Sequence, residues 1–143
     1  MSKLFRILIV DDDDDDQFLI KNAFEAESER FQFQVAMDGN EALEQIKSLD
    51  TLPDLILLDL NMPVMSGFEF LNHIKSSQRY RHIPVIVLST SSDNEDVNRS
   101  YKFGANTFVV KPSDSRGLLE LANLVRLYWF SLARIPTVRI PEK

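Results

Sequence analysis

The sequence predicts a doubly wound α/β fold, a five-stranded parallel sheet with five helices. Three observations carry this. Apolar, β-rich runs alternate with helical segments along the whole chain. The runs at 4–10, 54–60 and 83–90 are mostly apolar from end to end, as strands covered on both faces must be. The 143 residues suit a single domain able to bury its own core.

Each element follows in order. "LFRILIV" (4–10) is the first strand, and "DQFLIKNAFEAESE" (16–29) the first helix, with Phe18, Leu19, Ala23 and Phe24 at helical spacings. Aspartates stand in or before its first turn, where the helix dipole favours negative charge. "FQFQVAM" (31–37) alternates apolar and polar, the pattern of a half-exposed strand. "GNEALEQIKSL" (39–49) puts Ala42, Leu43, Ile46 and Leu49 on one helical face. "DLILLDL" (54–60) is a buried strand ending in Asp59, followed by the loop "NMPVMSG" (61–67) and the helix "FEFLNHIKSS" (68–77). "IPVIVLST" (83–90) is the fourth strand, and 94–104 a more polar helix stopped by Gly104. "TFVVKPS" (107–113) is a fifth strand cut off by Pro112. A long final helix (115–134) leads to a proline-bearing tail (135–143), giving a domain over 1–134 and a tail beyond it.

Composition excludes several classes. There is no cysteine, hence no disulfide framework or thiolate metal site. No apolar run approaches the roughly 20 residues of a membrane span, and the N-terminus reads as a strand rather than a signal peptide. We therefore expect a cytoplasmic protein without membrane contact. The net charge of −6 argues against nucleic-acid binding by charge alone.

In a sheet of this kind the ligand site lies beyond the carboxyl ends of the strands, near a topological switch point. Those ends carry Asp11 and Asp12, Asp59, Ser89 and Thr90, and Lys111. Crowded carboxylates need a counter-charge, and a hard cation such as Mg²⁺ suits them, with phosphate oxygens completing its shell. Lys111 supplies a point charge for a phosphoryl oxygen, and Ser89, favoured over Thr90 by register, a hydrogen bond. Asp59 then stands as a nucleophile toward phosphorus, already ionised at neutral pH. An EF-hand is excluded, because counting from Asp11 puts Asp16 at the glycine place and Asn22 at the glutamate place.

Together "ILIVDD", "LILLDLNMPVMSG", "IPVIVLST" and "GANTFVVKP" resemble the receiver domain of bacterial two-component response regulators, over residues 4 to 133. The resemblance implies a flavodoxin-like receiver fold with Asp59 as phosphoacceptor. It implies that Asp12, Asp59 and the backbone carbonyl of Asn61 bind Mg²⁺ directly and that Asp11 acts mainly through water. It further implies a cis Lys111–Pro112 bond and a switch in which Ser89 moves toward the phosphoryl group while Phe108 turns into the space released. The phosphoryl donor would be a sensor histidine kinase or a phosphotransfer protein, and the signal would pass by protein binding. The protein would be no enzyme beyond its own phosphorylation and dephosphorylation. The long last helix with "LYWFSLARIP" is similar to stand-alone regulators paired with bacterial phytochromes.

Rival readings are a degenerate receiver that binds partners without phosphorylation, and an aspartate-nucleophile phosphatase. The intact set of Asp11, Asp12, Asp59, Ser89 and Lys111 opposes the first. Acid where a hydroxyl or small residue is expected, and no room for a cap domain, oppose the second. Asp14 to Asp16 read as loop and first helical turn, without a role in the site, and Asp13 is left unassigned. His73 and His82 read as surface residues, and Met62 and Met65 as packing.

At about 100° per residue, Leu118, Leu121, Ala122, Val125, Trp129 and Leu132 form the inward stripe of the last helix. Leu119, Leu127 and Phe130 fall outward, with Leu124 between. An apolar outward face predicts a homodimer through this helix. A docked kinase or output protein is the rival occupant, and a tail folded back through Ile135, Val138 and Ile140 the third.

Overall fold

The computed structural model describes residues 4–27, 30–60 and 65–136. Its elements are β1 (Phe5–Val10), α1 (Asp14–Glu27), β2 (Phe31–Ala36), α2 (Gly39–Ser48), β3 (Leu55–Asp59), α3 (Gly67–Ser76), β4 (Val85–Ser89), α4 (Asn94–Lys102), β5 (Thr107–Val110) and α5 (Ser115–Leu127). A π-helical turn, Tyr128–Leu132, continues α5. All strand pairs are parallel, in the order β2-β1-β3-β4-β5. The chain therefore reverses direction across the sheet between β1 and β3, which is where a doubly wound sheet opens a crevice.

Alternating side chains of the central strands feed two cores. Leu8, Val10, Ile56, Leu58, Val85 and Val87 pack with Ala42, Ile46, Phe70, Leu71 and Ile74 of α2 and α3. Ile7, Ile9, Leu55, Leu57, Ile86 and Leu88 pack with Ile20, Phe24, Leu118, Ala122 and Val125 of α1 and α5. Both strand faces are thus apolar, which is why β3 and β4 are buried at every position.

Caps set the helix starts. Asp38 accepts from Glu41 N–H and Asp114 from Gly117 N–H, each at 2.8 Å. Ser66 and Glu69 form a reciprocal capping box at α3. Gly67 is required there, because a Cβ would come within 2.5 Å of Leu60 Cα and 2.6 Å of the Asp59 carbonyl oxygen.

Three expectations are corrected. The Lys111–Pro112 bond is trans, since no cis peptide occurs among the described residues; trans is the intrinsically favoured form even before proline. The fifth strand ends at Val110, because Lys111 N–H makes the last pairing bond, to Ser89 O at 2.7 Å, and proline has no N–H to continue it. The third concerns the end of α5. Leu118, Ala122 and Val125 are buried as the helical phase requires, and Leu121 and Trp129 pack on the same core. Leu132, expected inward, is 75% exposed, and Phe130, expected outward, packs on the core. The π turn explains both. Ala133 N–H bonds to Tyr128 O, five residues back, and the extra residue per turn retards the side-chain phase by about 100°. The expected continuation of an α-helix to 134 fails for the same reason.

Of the tail, residues 137–143 lie outside the described residues, with Val138 and Ile140 among them. No helix among the described residues is long and apolar enough to cross a membrane.

Candidate functional site

The carboxyl edge of the sheet brings the predicted site residues together. Parallel register sets this: Val10 pairs with Leu58, Asp59 with Leu88, and Ser89 with Val110. The residues ending each strand therefore share one rim. Asp11 and Asp59 are buried there and Asp12 is exposed. One carboxylate oxygen from each of the three lies within 4.8 Å of the others. Three hard oxygen donors at this spacing fit a hard divalent cation.

The loop after β1 is built to aim Asp11. Its N–H pairs with Ala36 O at 3.0 Å, and its Oδ1 accepts from Asp13 N–H at 3.0 Å. Asp13, unassigned from sequence, caps α1, accepting from Asp15 N–H at 2.9 Å. Nothing local in the sequence marks Gln17 as part of the site. It is buried, and its side-chain amide donates to the Asp11 carbonyl oxygen and to Met37 Sδ, pinning the loop from below.

Lys111 enters from the far end of the chain. Its Nζ donates to Asp11 Oδ2 at 3.0 Å and to Asp16 Oδ2 at 2.9 Å. Burial lowers the affinity of this amine for its proton. The hydrogen bond to Asp16, the charge and bond of Asp11, and the charge of Asp59 outweigh burial and raise it well above the usual lysine value. Burial likewise pushes the Asp11 carboxyl up, opposed by the Asp13 N–H and the Lys111 ammonium. Asp14 to Asp16 form the first turn of α1 as expected, but Asp16 also belongs to this rim.

Ser89 is fully buried, and its Oγ accepts from Ser91 N–H at 3.1 Å, while Thr90 is exposed. Phe108 is partly buried against the α2–α3 core, and its N–H donates to the Tyr101 hydroxyl at 3.1 Å. His73 and His82 are exposed, and Met65 packs on the core. Asn61 and Met62 lie outside the described residues.

A five-stranded doubly wound sheet in this order, with a cation-competent acidic cluster and a lysine on its carboxyl rim, is the architecture of receiver domains. The chain is a member of the response regulator receiver domain family, whose model matches residues 7–123. That family works in two-component signalling and takes phosphoryl groups from histidine kinases. The probable methanogenesis regulatory protein FilR2 of Methanothrix harundinacea is 35% identical over 136 residues, covering 92% of this chain and 88% of that protein. Response regulator Rcp1 of Synechocystis is 29% identical, covering 91% of this chain and 92% of its own. A crystal structure of the Mn²⁺-bound form of Rcp1 superposes with a TM-score of 0.83 at 28% identity, covering 92% of this chain and 99% of that one. The phosphorylated cyanobacterial phytochrome response regulator RcpA superposes with a TM-score of 0.88 at 33% identity, covering 93% and 99%.

Proposed function

We propose that this protein is a phosphoaccepting switch. The observation that carries the proposal is Asp59 at the end of β3, its carboxylate grouped with Asp11 and Asp12 while Lys111 is tied to Asp11. An Asp59 oxygen attacks the phosphorus of a phosphohistidine on a sensor histidine kinase or phosphotransfer protein. The P–N bond breaks, its electron pair stays on the imidazole nitrogen, and an aspartyl phosphate forms. A carboxylate nucleophile, unlike a hydroxyl, has no proton to lose to a general base. Lys111 holds one phosphoryl oxygen and Ser89 another. Asp11, Asp12, Asp59 and the backbone carbonyl of Asn61 would hold Mg²⁺, which when bound neutralises charge on the phosphoryl oxygens.

The signal then leaves through protein contacts. Ser89 moving to the phosphoryl group and Phe108 turning after it are the switching elements in this reading. The receiver unit spans 1–134 with a tail at 135–143, and the cytoplasm is its compartment. The likeness to RcpA supports a bacteriophytochrome as the donor kinase. Leu119, Leu124, Leu127, Tyr128 and Leu132 remain exposed on the last helix and its π turn, which supports a homodimer through that face.

The test is incubation with Mg²⁺ and acetyl phosphate. The wild type should gain one acid-stable, base-labile phosphoryl group, and Asp59→Asn none, by intact-mass spectrometry. A fully labelled Asp59→Asn protein removes Asp59 from its role. An unlabelled wild type leaves a phosphorylation-independent binding module, and repeated turnover a phosphatase.

A further inference from the structure

We infer that Asp16 is a positioning residue that restrains the loading of Asp59 by competing for the Lys111 ammonium; this rests on the phosphoacceptor reading above. Lys111 Nζ has three N–H donors. One is on Asp11 Oδ2 at 3.0 Å and a second on Asp16 Oδ2 at 2.9 Å. The two acceptors pull in different directions. Asp11 is a member of the buried triad with Asp12 and Asp59. Asp16 stands on the first turn of α1, its side chain 34% exposed against 3% for Asp11.

A cleft of about 300 Å³ between α1 and α5 fixes the sense of that pull. Asp16 and Lys111 line it together with Leu19, Ile20, Pro112 and Leu118, whereas Asp11, Asp12 and Asp59 are not among its lining residues. Asp16 thus ties the ammonium to a residue that lines the cleft, and Asp11 ties it to a member of the carboxylate triad. A phosphoryl group arriving at Asp59 can take the third N–H, but to shift the ammonium toward itself it pulls against the bond to Asp16. Neutralising Asp16 leaves the lysine to Asp11 and the incoming phosphoryl oxygens, so loading becomes faster. Asp14 and Asp15, also in the first turn, have no bond to Lys111 among the interactions described. The pairing spans 95 residues and so requires the fold to bring the residue after β5 beside the first turn of α1.

The experiment measures the rate of Asp59 labelling by acetyl phosphate with saturating Mg²⁺ at physiological salt. Asp16→Asn should label about two- to fivefold faster than wild type, the range a partly exposed ion pair supports. Asp15→Asn should keep the wild-type rate, which controls for a general loss of negative charge. Asp16→Glu should restore slow loading, and Asp16→Ser, which removes the same charge, should also label faster than wild type. In parallel, NMR of the Lys111 ammonium protons should show slow exchange in wild type and Asp15→Asn and fast exchange in Asp16→Asn. Equal rates for Asp16→Asn and Asp15→Asn, or slower labelling of Asp16→Asn, overturn the inference while the phosphoacceptor reading stands. A wild type that does not label at all removes both.

Discussion

The ring of Phe130, in the π turn, lies 4.3 Å from that of Phe5 at the start of β1, centroid to centroid. It also meets Phe31 of β2 edge-on at 5.6 Å. The C-terminal end of the last helix is thus fastened to the amino ends of the first two strands.

Phe130→Ala should destabilise the fold by roughly 2 kcal/mol, below the 3–5 kcal/mol of a fully buried phenylalanine because the residue is only partly buried. Leu127→Glu, on the exposed face, should change stability little and should shift sedimentation toward the monomer. Urea denaturation of both variants checks the first pair of values. Equal losses would place Leu127 in the core, against its exposure here.

Gly67→Ala should strike the site through the backbone. Its Cβ would press on Leu60 Cα and on the carbonyl oxygen of Asp59 itself. We expect a loss of roughly 1–3 kcal/mol, the cost of overpacking, and slower labelling of Asp59 at temperatures where the variant is still folded. Wild-type labelling in a destabilised variant would show that the strain relaxes away from Asp59.

Mg²⁺ should raise the melting temperature, because it binds the assembled cluster and not the unfolded chain; at a hundredfold excess over Kd the gain is about 2.7 kcal/mol. Asp12→Asn should lose most of that gain, and Asp15→Asn little. Without the ion, Asp12→Asn should melt no lower than wild type, since one of three mutually repelling carboxylates is gone. Calorimetry with EDTA and with Mg²⁺ tests this crossing of the two proteins.

Lys75 should give stability an alkaline dependence. Its ammonium is half-buried and donates to Arg81 O, Ile83 O and Asn106 Oδ1, acceptors that are all neutral. Burial lowers its pKa from 10.5 to about 8. Between these values the unfolded chain binds more protons than the folded one, so the contribution of Lys75 to stability rises with pH. Below pH 8 both states are protonated and its full penalty is present. Relative to Lys75→Met, the wild type should gain stability from pH 8 to 10, by at most about 1.4 kcal/mol per pH unit. A flat difference across that window would mean that Lys75 titrates like an exposed lysine.

The amino-acid order by itself determined the sheet and the rim. Strands buried on both faces are written as unbroken apolar runs, and the residue ending each run must lie at the carboxyl edge of a parallel sheet. Asp11, Asp12, Asp59, Ser89 and Lys111 were legible for that reason. Helical phase was legible to Val125, because it is a local repeat. Only the tertiary structure decided the rest. The π turn at Tyr128 arises where Phe130 meets Phe5 and Phe31, contacts made across the whole chain. The partnership of Asp16 with Lys111, the support of Asp11 by Gln17 and the burial of Lys75 depend on how separate elements lie against one another. A one-dimensional pattern encodes which face of an element is apolar, but not which polar atom of a distant element will come within 3 Å of a given charge.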